Sequence, residues 1–168
     1  MAKIAAGAAR LLAAEDGPRI AALVLDGWDT HVNEGAATGA LATRLAGLDA
    51  ALAAFEAGLG PVWRDTVILV VTEFGRTARV NGTSGTDHGT GTVALLVGGA
   101  VKGGRVIADW PGLRDRDLHE GRDLRPTSDL RAVAKGAMAE LFGVSASRLG
   151  EIVFPGTTAI KPVSGLVA

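Results

Sequence analysis

Cysteine is absent from the chain, which excludes disulfides and thiolate zinc sites and leaves the redox compartment open. An excess of charge is lacking too. Seventeen Lys and Arg stand against eighteen Asp and Glu, a net charge of -1, so no nucleic-acid or acidic-membrane partner is indicated. The longest apolar stretches are short and broken by glycine, and no membrane span is expected from them. No signal peptide is recognisable, because Lys3 and Arg10 fall inside an Ala-rich helical pattern. Three motifs are also missing. Without a Gly-x-Ser-x-Gly elbow a serine hydrolase of that type is disfavoured. The Gly98 to Gly104 run does not end in the Gly-Lys-Ser/Thr of a phosphate loop, and no Gly-x-Gly-x-x-Gly follows the first apolar run.

What is present is the composition of a globular domain: 168 residues, 48% hydrophobic and 21% charged. That suffices for one domain with a real core, and residues 1–168 are read as a single α/β domain. Ala2 to Ala14 is an Ala/Leu helix stopped by Asp16-Gly17-Pro18. Arg19 to Leu25 is nearly continuous and aliphatic, the pattern of a strand buried on both faces. Leu41, Leu45, Leu48, Leu52, Phe55 and Leu59 alternate at spacings of four and three, which predicts an amphipathic helix starting near Thr38. Val67 to Thr72 and Thr92 to Val97 read as further strands, and Asp129 to Phe142 as another amphipathic helix. A strand–helix–strand crossover of this length implies a right-handed parallel unit. The expected fold is α/β, a three-layer sandwich with a mostly parallel sheet.

Polar strings sit at the ends of these apolar runs. Asp26-Gly27-Trp28-Asp29-Thr30-His31 follows the first, Glu73-Phe74-Gly75-Arg76 the second, and Thr86-Asp87-His88-Gly89 precedes the third. In an open parallel sheet ligands bind beyond the carboxyl ends of the strands, which would bring Asp26, Asp29, His31 and Glu73 to one edge. Asp87 and His88 reach that edge only if their glycine-rich loop folds back or the third strand runs antiparallel. Each group has an ordinary structural use as well. Asp26-Gly27 suits a turn, Asp29 a cap, His31 a surface position, and Glu73 with Arg76 an ion pair. Asp87-His88, with Gly85, Gly89 and Gly91 clearing space, suits a cation that takes oxygen and nitrogen ligands. The candidate metal ligands are therefore Asp29, His31, Asp87 and His88. Glu73, Arg76 and Asp26 are candidates to hold an anion or support the ligands. His119 is read as a solvated loop residue.

Taken together, Gly27-Trp28-Asp29-Thr30-His31, Thr72-Glu73-Phe74-Gly75-Arg76, Asn81-Gly82, Gly85-Thr86-Asp87-His88-Gly89 and Gly98 to Gly104 resemble the bacterial family called domain of unknown function 1501. That family is usually exported and stands near sulfatases and alkaline phosphatases. The resemblance runs from about Asp16 to Phe142 and implies an alkaline-phosphatase-like fold, a periplasmic setting and metal-dependent ester hydrolysis, with zinc, manganese or calcium as the divalent metal and a small anionic ester as the substrate. Asp29 and His31 fall where the wider superfamily has an aspartate and a histidine on one metal, though with tighter spacing. Glu73-Phe74 replaces a strand-end Asp-His pair, so one histidine ligand is lost. His88 matches a later histidine ligand. The segment that would carry the superfamily's Ser/Thr nucleophile and first metal-binding aspartate is not seen, so the chain is expected to correspond to the C-terminal part of a longer sulfatase-like domain. Thr30, Thr72, Thr86 and Thr90 are the hydroxyls beside the proposed ligands. The alternative to a hydrolase relative is a non-catalytic binding or assembly protein on the same scaffold.

Overall fold

A computed structural model describes residues 1–168. The chain gathers into two compact units. One comprises Met1–Trp63 and Thr77–His88, the other Arg64–Arg76 and Gly89–Ala168.

In the first unit, alanine and leucine, which lose little rotamer freedom in a helix, form α1 (Ala2–Leu12) and the long α2 (Ala40–Leu59). The expected cap at Thr38 is replaced by Gly39, whose φ of 104° only glycine adopts at little cost. The exposed N-terminus of α2 is satisfied by the chain before it: the Leu41 amide donates to the Glu34 carbonyl at 2.9 Å. At the other end, Gly60 with φ 53° and then Pro61 stop the helix. Ala5 and Ala9 of α1 and Ala51, Phe55 and Leu59 of α2 are buried, and the two helices pack on one another. Burying Phe55 and Leu59 contributes about 1.5–3 kcal/mol each. Gly58 allows the close approach, since a Cβ there would lie 2.7 Å from the Ala9 Cβ. Of the leucine stripe, Leu59 is buried whereas Leu45 is exposed. By length and composition alone, Ala40–Asp65 is apolar enough to cross a membrane. Core helices meet the same criterion.

The expected first strand does not form. Residues 19–29 have no strand hydrogen bonding, and Ile20 and Val24 are exposed at 67% and 79%. The residues have β character, but a strand is stable only beside a partner that takes up its amides and carbonyls. The first unit supplies none.

In the second unit, β1 (Ile68–Val70) pairs antiparallel with β4 (Leu95–Val97), with Leu69 opposite Leu96. Both strands fall inside the apolar runs from which they were expected. Their antiparallel sense is one of the two arrangements under which Asp87-His88 could be carried back. The two-residue strands β2 (Gly75–Arg76) and β3 (His88–Gly89) lie where the chain passes between units. α3 (Leu130–Phe142) starts one residue inside the expected span, because Asp129 caps it. The Asp129 carboxylate accepts the Arg131 amide at 2.9 Å, and Gly143 ends the helix with φ 66°. Lys135 is fully buried on α3 and donates to the carbonyls of Thr157 and Ile160 at 2.5 and 3.0 Å. The Glu140 carboxylate accepts the amides of Gly165, Leu166 and Val167, holding the last residues against the helix. A short α4 (Ala146–Arg148) runs on into a π-helical turn, Leu149–Val153.

Candidate metal centre

Three side chains of the first unit converge. The His31 Nε2 lies 3.0 Å from the Asp29 Oδ1 and 3.1 Å from the His88 Nε2, and the His88 Nε2 lies 2.9 Å from the same carboxylate oxygen. Asp29 and His31 are separated only by Thr30, whose amide donates to the Trp28 carbonyl at 3.0 Å in a tight turn centred on Asp29. His88 is brought in from 57 residues away, and the contacts that bring it are backbone ones. The Asn33 and Glu34 amides donate to the carbonyls of Thr83 and Ser84 at 3.0 and 2.9 Å, and the Thr86 amide donates to the Thr30 carbonyl at 3.4 Å. Gly85 sits so tightly against the His31 carbonyl that a Cβ would overlap it. The Glu34 carboxylate accepts the Thr86 hydroxyl at 2.8 Å, while its carbonyl anchors α2. The site is thus tied to the only long helix of its unit.

Asn81 is the centre of this junction. Its amide nitrogen donates to the His31 carbonyl at 3.1 Å and to the Asp87 Oδ1 at 2.9 Å. Its oxygen accepts the amides of Thr83 and Gly85 and the Thr83 hydroxyl, at 2.9–3.0 Å. Thr83 in turn donates its hydroxyl to the His31 carbonyl at 2.8 Å.

The triangle of Asp29, His31 and His88 is a donor set with edges of 2.9–3.1 Å. One proton satisfies at most two of the three atoms, whereas a cation satisfies all three. Asp29, His31 and His88 would hold such an ion, whose usual bonds to nitrogen and oxygen are about 2.0–2.1 Å when it is zinc. The three side chains reach solvent, Asp29, His31 and His88 being 60%, 40% and 52% exposed. Two imidazoles and one carboxylate are a donor set of the kind used at zinc sites.

Of the residues singled out from sequence, Asp29, His31 and His88 come together. Asp87 lies on the opposite side of the His31 ring, its Oδ1 3.5 Å from Nδ1. Asp26 is exposed on the same loop, and Glu73 and Arg76 are carried by the second unit. The candidate hydroxyls have other uses. Thr86 donates to Glu34, Thr72 to the Phe74 carbonyl at 2.8 Å and Thr90 to Asp123 at 2.9 Å, while the Thr30 hydroxyl is buried without a hydrogen-bond partner. Sequence reasoning missed the role of Asn81, which entered through the Asn81-Gly82 pair of the family resemblance, and missed Glu34. The tendency of Asn to bond backbone amides two residues on was the available signal, and Thr83 is that residue.

The fold and the donor triangle define a chain of helices and short strands in two small sheets, with one candidate cation centre in its first unit. The chain belongs to the family described as Protein of unknown function (DUF1501), whose model matches residues 4–153. No curated protein matches the chain, and no solved structure does.

Proposed function

We propose that this chain holds a single divalent cation on Asp29, His31 and His88, and that the site is related to those of metal-dependent hydrolases of phosphoric or sulfuric esters. The observation that carries the reading is the donor triangle, with its three lone-pair atoms 2.9–3.1 Å apart. The donor chemistry fits zinc better than calcium, because imidazole nitrogen suits zinc and calcium prefers an all-oxygen shell. When bound, such an ion polarises an ester oxygen and lowers the pKa of a water. Asp29 supplies the negative charge that offsets the ion, and the two imidazoles orient it. The alkaline-phosphatase-like three-layer sandwich belongs to the same proposal and rests on the family resemblance, and Asp26, on the loop of Asp29, is proposed to face an anionic ester.

A second reading, a protein that binds its ligand without turning it over, is favoured by the fate of the hydroxyls. Thr72, Thr86 and Thr90 are each committed as donors and Thr30 is enclosed, so a covalent hydroxyl route has no ready nucleophile among them. The test is a zinc titration by calorimetry after chelator treatment, with manganese and calcium as competitors. One zinc per chain is expected, and His88→Ala removes most of the binding. A chain that retains no zinc overturns the proposal. In parallel, aryl phosphate and aryl sulfate are expected to show no appreciable turnover. Turnover lost in His88→Ala would replace the second reading by the first.

A further inference from the structure

We infer that Asp87 is a positioning residue for His31, held in place by Asn81, and not a ligand of the cation. This rests on the cation-site reading above for its purpose, but its geometry stands in the chain itself. His31 turns Nε2 toward Asp29 and His88, and turns Nδ1 toward Asp87. An imidazole offers a lone pair at Nε2 only when its proton resides on Nδ1; with both nitrogens protonated no lone pair remains. A carboxylate facing Nδ1 selects the first state, because it stabilises a proton there and would be repelled by a lone pair. Metal-bound histidines commonly donate their other nitrogen to such a carboxylate, which fixes the tautomer and the ring orientation.

The carboxylate is itself placed with respect to the histidine it serves. One amide group, Asn81 Nδ2, bonds both the His31 carbonyl at 3.1 Å and the Asp87 Oδ1 at 2.9 Å. That bridge sets the offset between the histidine backbone and the aspartate head. The Asp87 main chain is held as well: its amide donates to the Thr77 hydroxyl oxygen at 3.1 Å and its carbonyl accepts the Thr77 amide at 2.9 Å. Gly85 packs against the His31 carbonyl from the same loop. The 3.5 Å between Nδ1 and Oδ1 is longer than a formed hydrogen bond. Such contacts tighten when the ring is drawn onto its ligand.

The experiment reads the tautomer directly, without metal. Long-range proton–nitrogen spectra of the metal-free chain, at about pH 8.5 where free imidazole is neutral, are expected to show His31 protonated at Nδ1. Asp87→Ala shifts His31 toward the Nε2-protonated form and weakens zinc binding by about 10- to 100-fold. Asp87→Asn, whose amide oxygen can still accept from Nδ1, keeps the tautomer and loses less affinity. An Nε2-protonated His31 in the unmodified chain overturns the inference, as does an unchanged tautomer in Asp87→Ala. Binding of two zinc ions, one lost in Asp87→Ala, would make Asp87 a ligand and also overturn it. An Nδ1-protonated His31 that depends on Asp87, in a chain that binds no zinc, upholds the positioning role while the cation reading fails.

Discussion

Replacing Asn81 by alanine should release the loop that carries His88. Five side-chain hydrogen bonds are lost: two donated, to His31 and Asp87, and three accepted, from Thr83 and Gly85. At about 0.5–1.5 kcal/mol net each their full worth is several kcal/mol. Thr83 and Asp87 are exposed, so water replaces part of what is lost, and about 2–4 kcal/mol of local stability is the expected cost. The Thr83 and Gly85 amides report it, since both donate to the Asn81 oxygen. Their hydrogen exchange should accelerate by about 30- to 1000-fold, at 1.4 kcal/mol per factor of ten, while the α2 amides remain protected. Asn81→Asp sharpens the test. It keeps the three accepted bonds, loses the two donated ones and sets a second carboxylate against Asp87. Its effect should therefore weaken with added salt, whereas that of Asn81→Ala should not. Exchange at Thr83 and Gly85 changing by less than about twofold in Asn81→Ala would refute the reasoning.

Thr30→Val removes a buried hydroxyl that has no partner and keeps the side-chain shape. A gain of about 1 kcal/mol is expected, and a lower melting temperature would contradict it. Lys135→Met leaves the Thr157 and Ile160 carbonyls without their buried donor. Even with the relief of removing a buried charge, a loss of about 1–3 kcal/mol in denaturant unfolding is expected, and unchanged stability would count against the clamp. Three backbone amides hold the Glu140 carboxyl below its ordinary range. Its contribution is therefore present above the ordinary glutamate pKa and lost as pH falls through the depressed value. Protection of the Leu166 and Val167 amides, measured against the intrinsic exchange rate at each pH, should fall on acidification in the parent chain and show no such dependence in Glu140→Gln.

The helices were legible because their signals are local. The stop at Asp16-Gly17-Pro18, the leucine spacing from Leu41 to Leu59 and the amphipathic pattern of Asp129 to Phe142 each act over short range, and α1, α2 and α3 follow them. The cores of two strands were legible for the same reason. Arg19 to Leu25 was misread because strand formation depends on a neighbour that sequence pattern does not supply. Within the site, Asp29 and His31 could be paired from the one-residue spacing alone. His88 could be suspected from its aspartate and glycines, but nothing local places it 3.1 Å from His31.

The sequence by itself determined the family, the helical segments and the set of residues able to hold a cation. Those depend on residue type and short-range spacing. Only the tertiary structure decided which of them meet. It set His88 beside Asp29 and His31, turned Asp87 to the far side of the imidazole, and made Asn81 the joint between the two loops. The physical reason is that these relations depend on backbone bonds between residues some fifty positions apart, Asn33 to Thr83 and Glu34 to Ser84. Their formation is governed by loop closure and packing on α2, which no window of sequence contains.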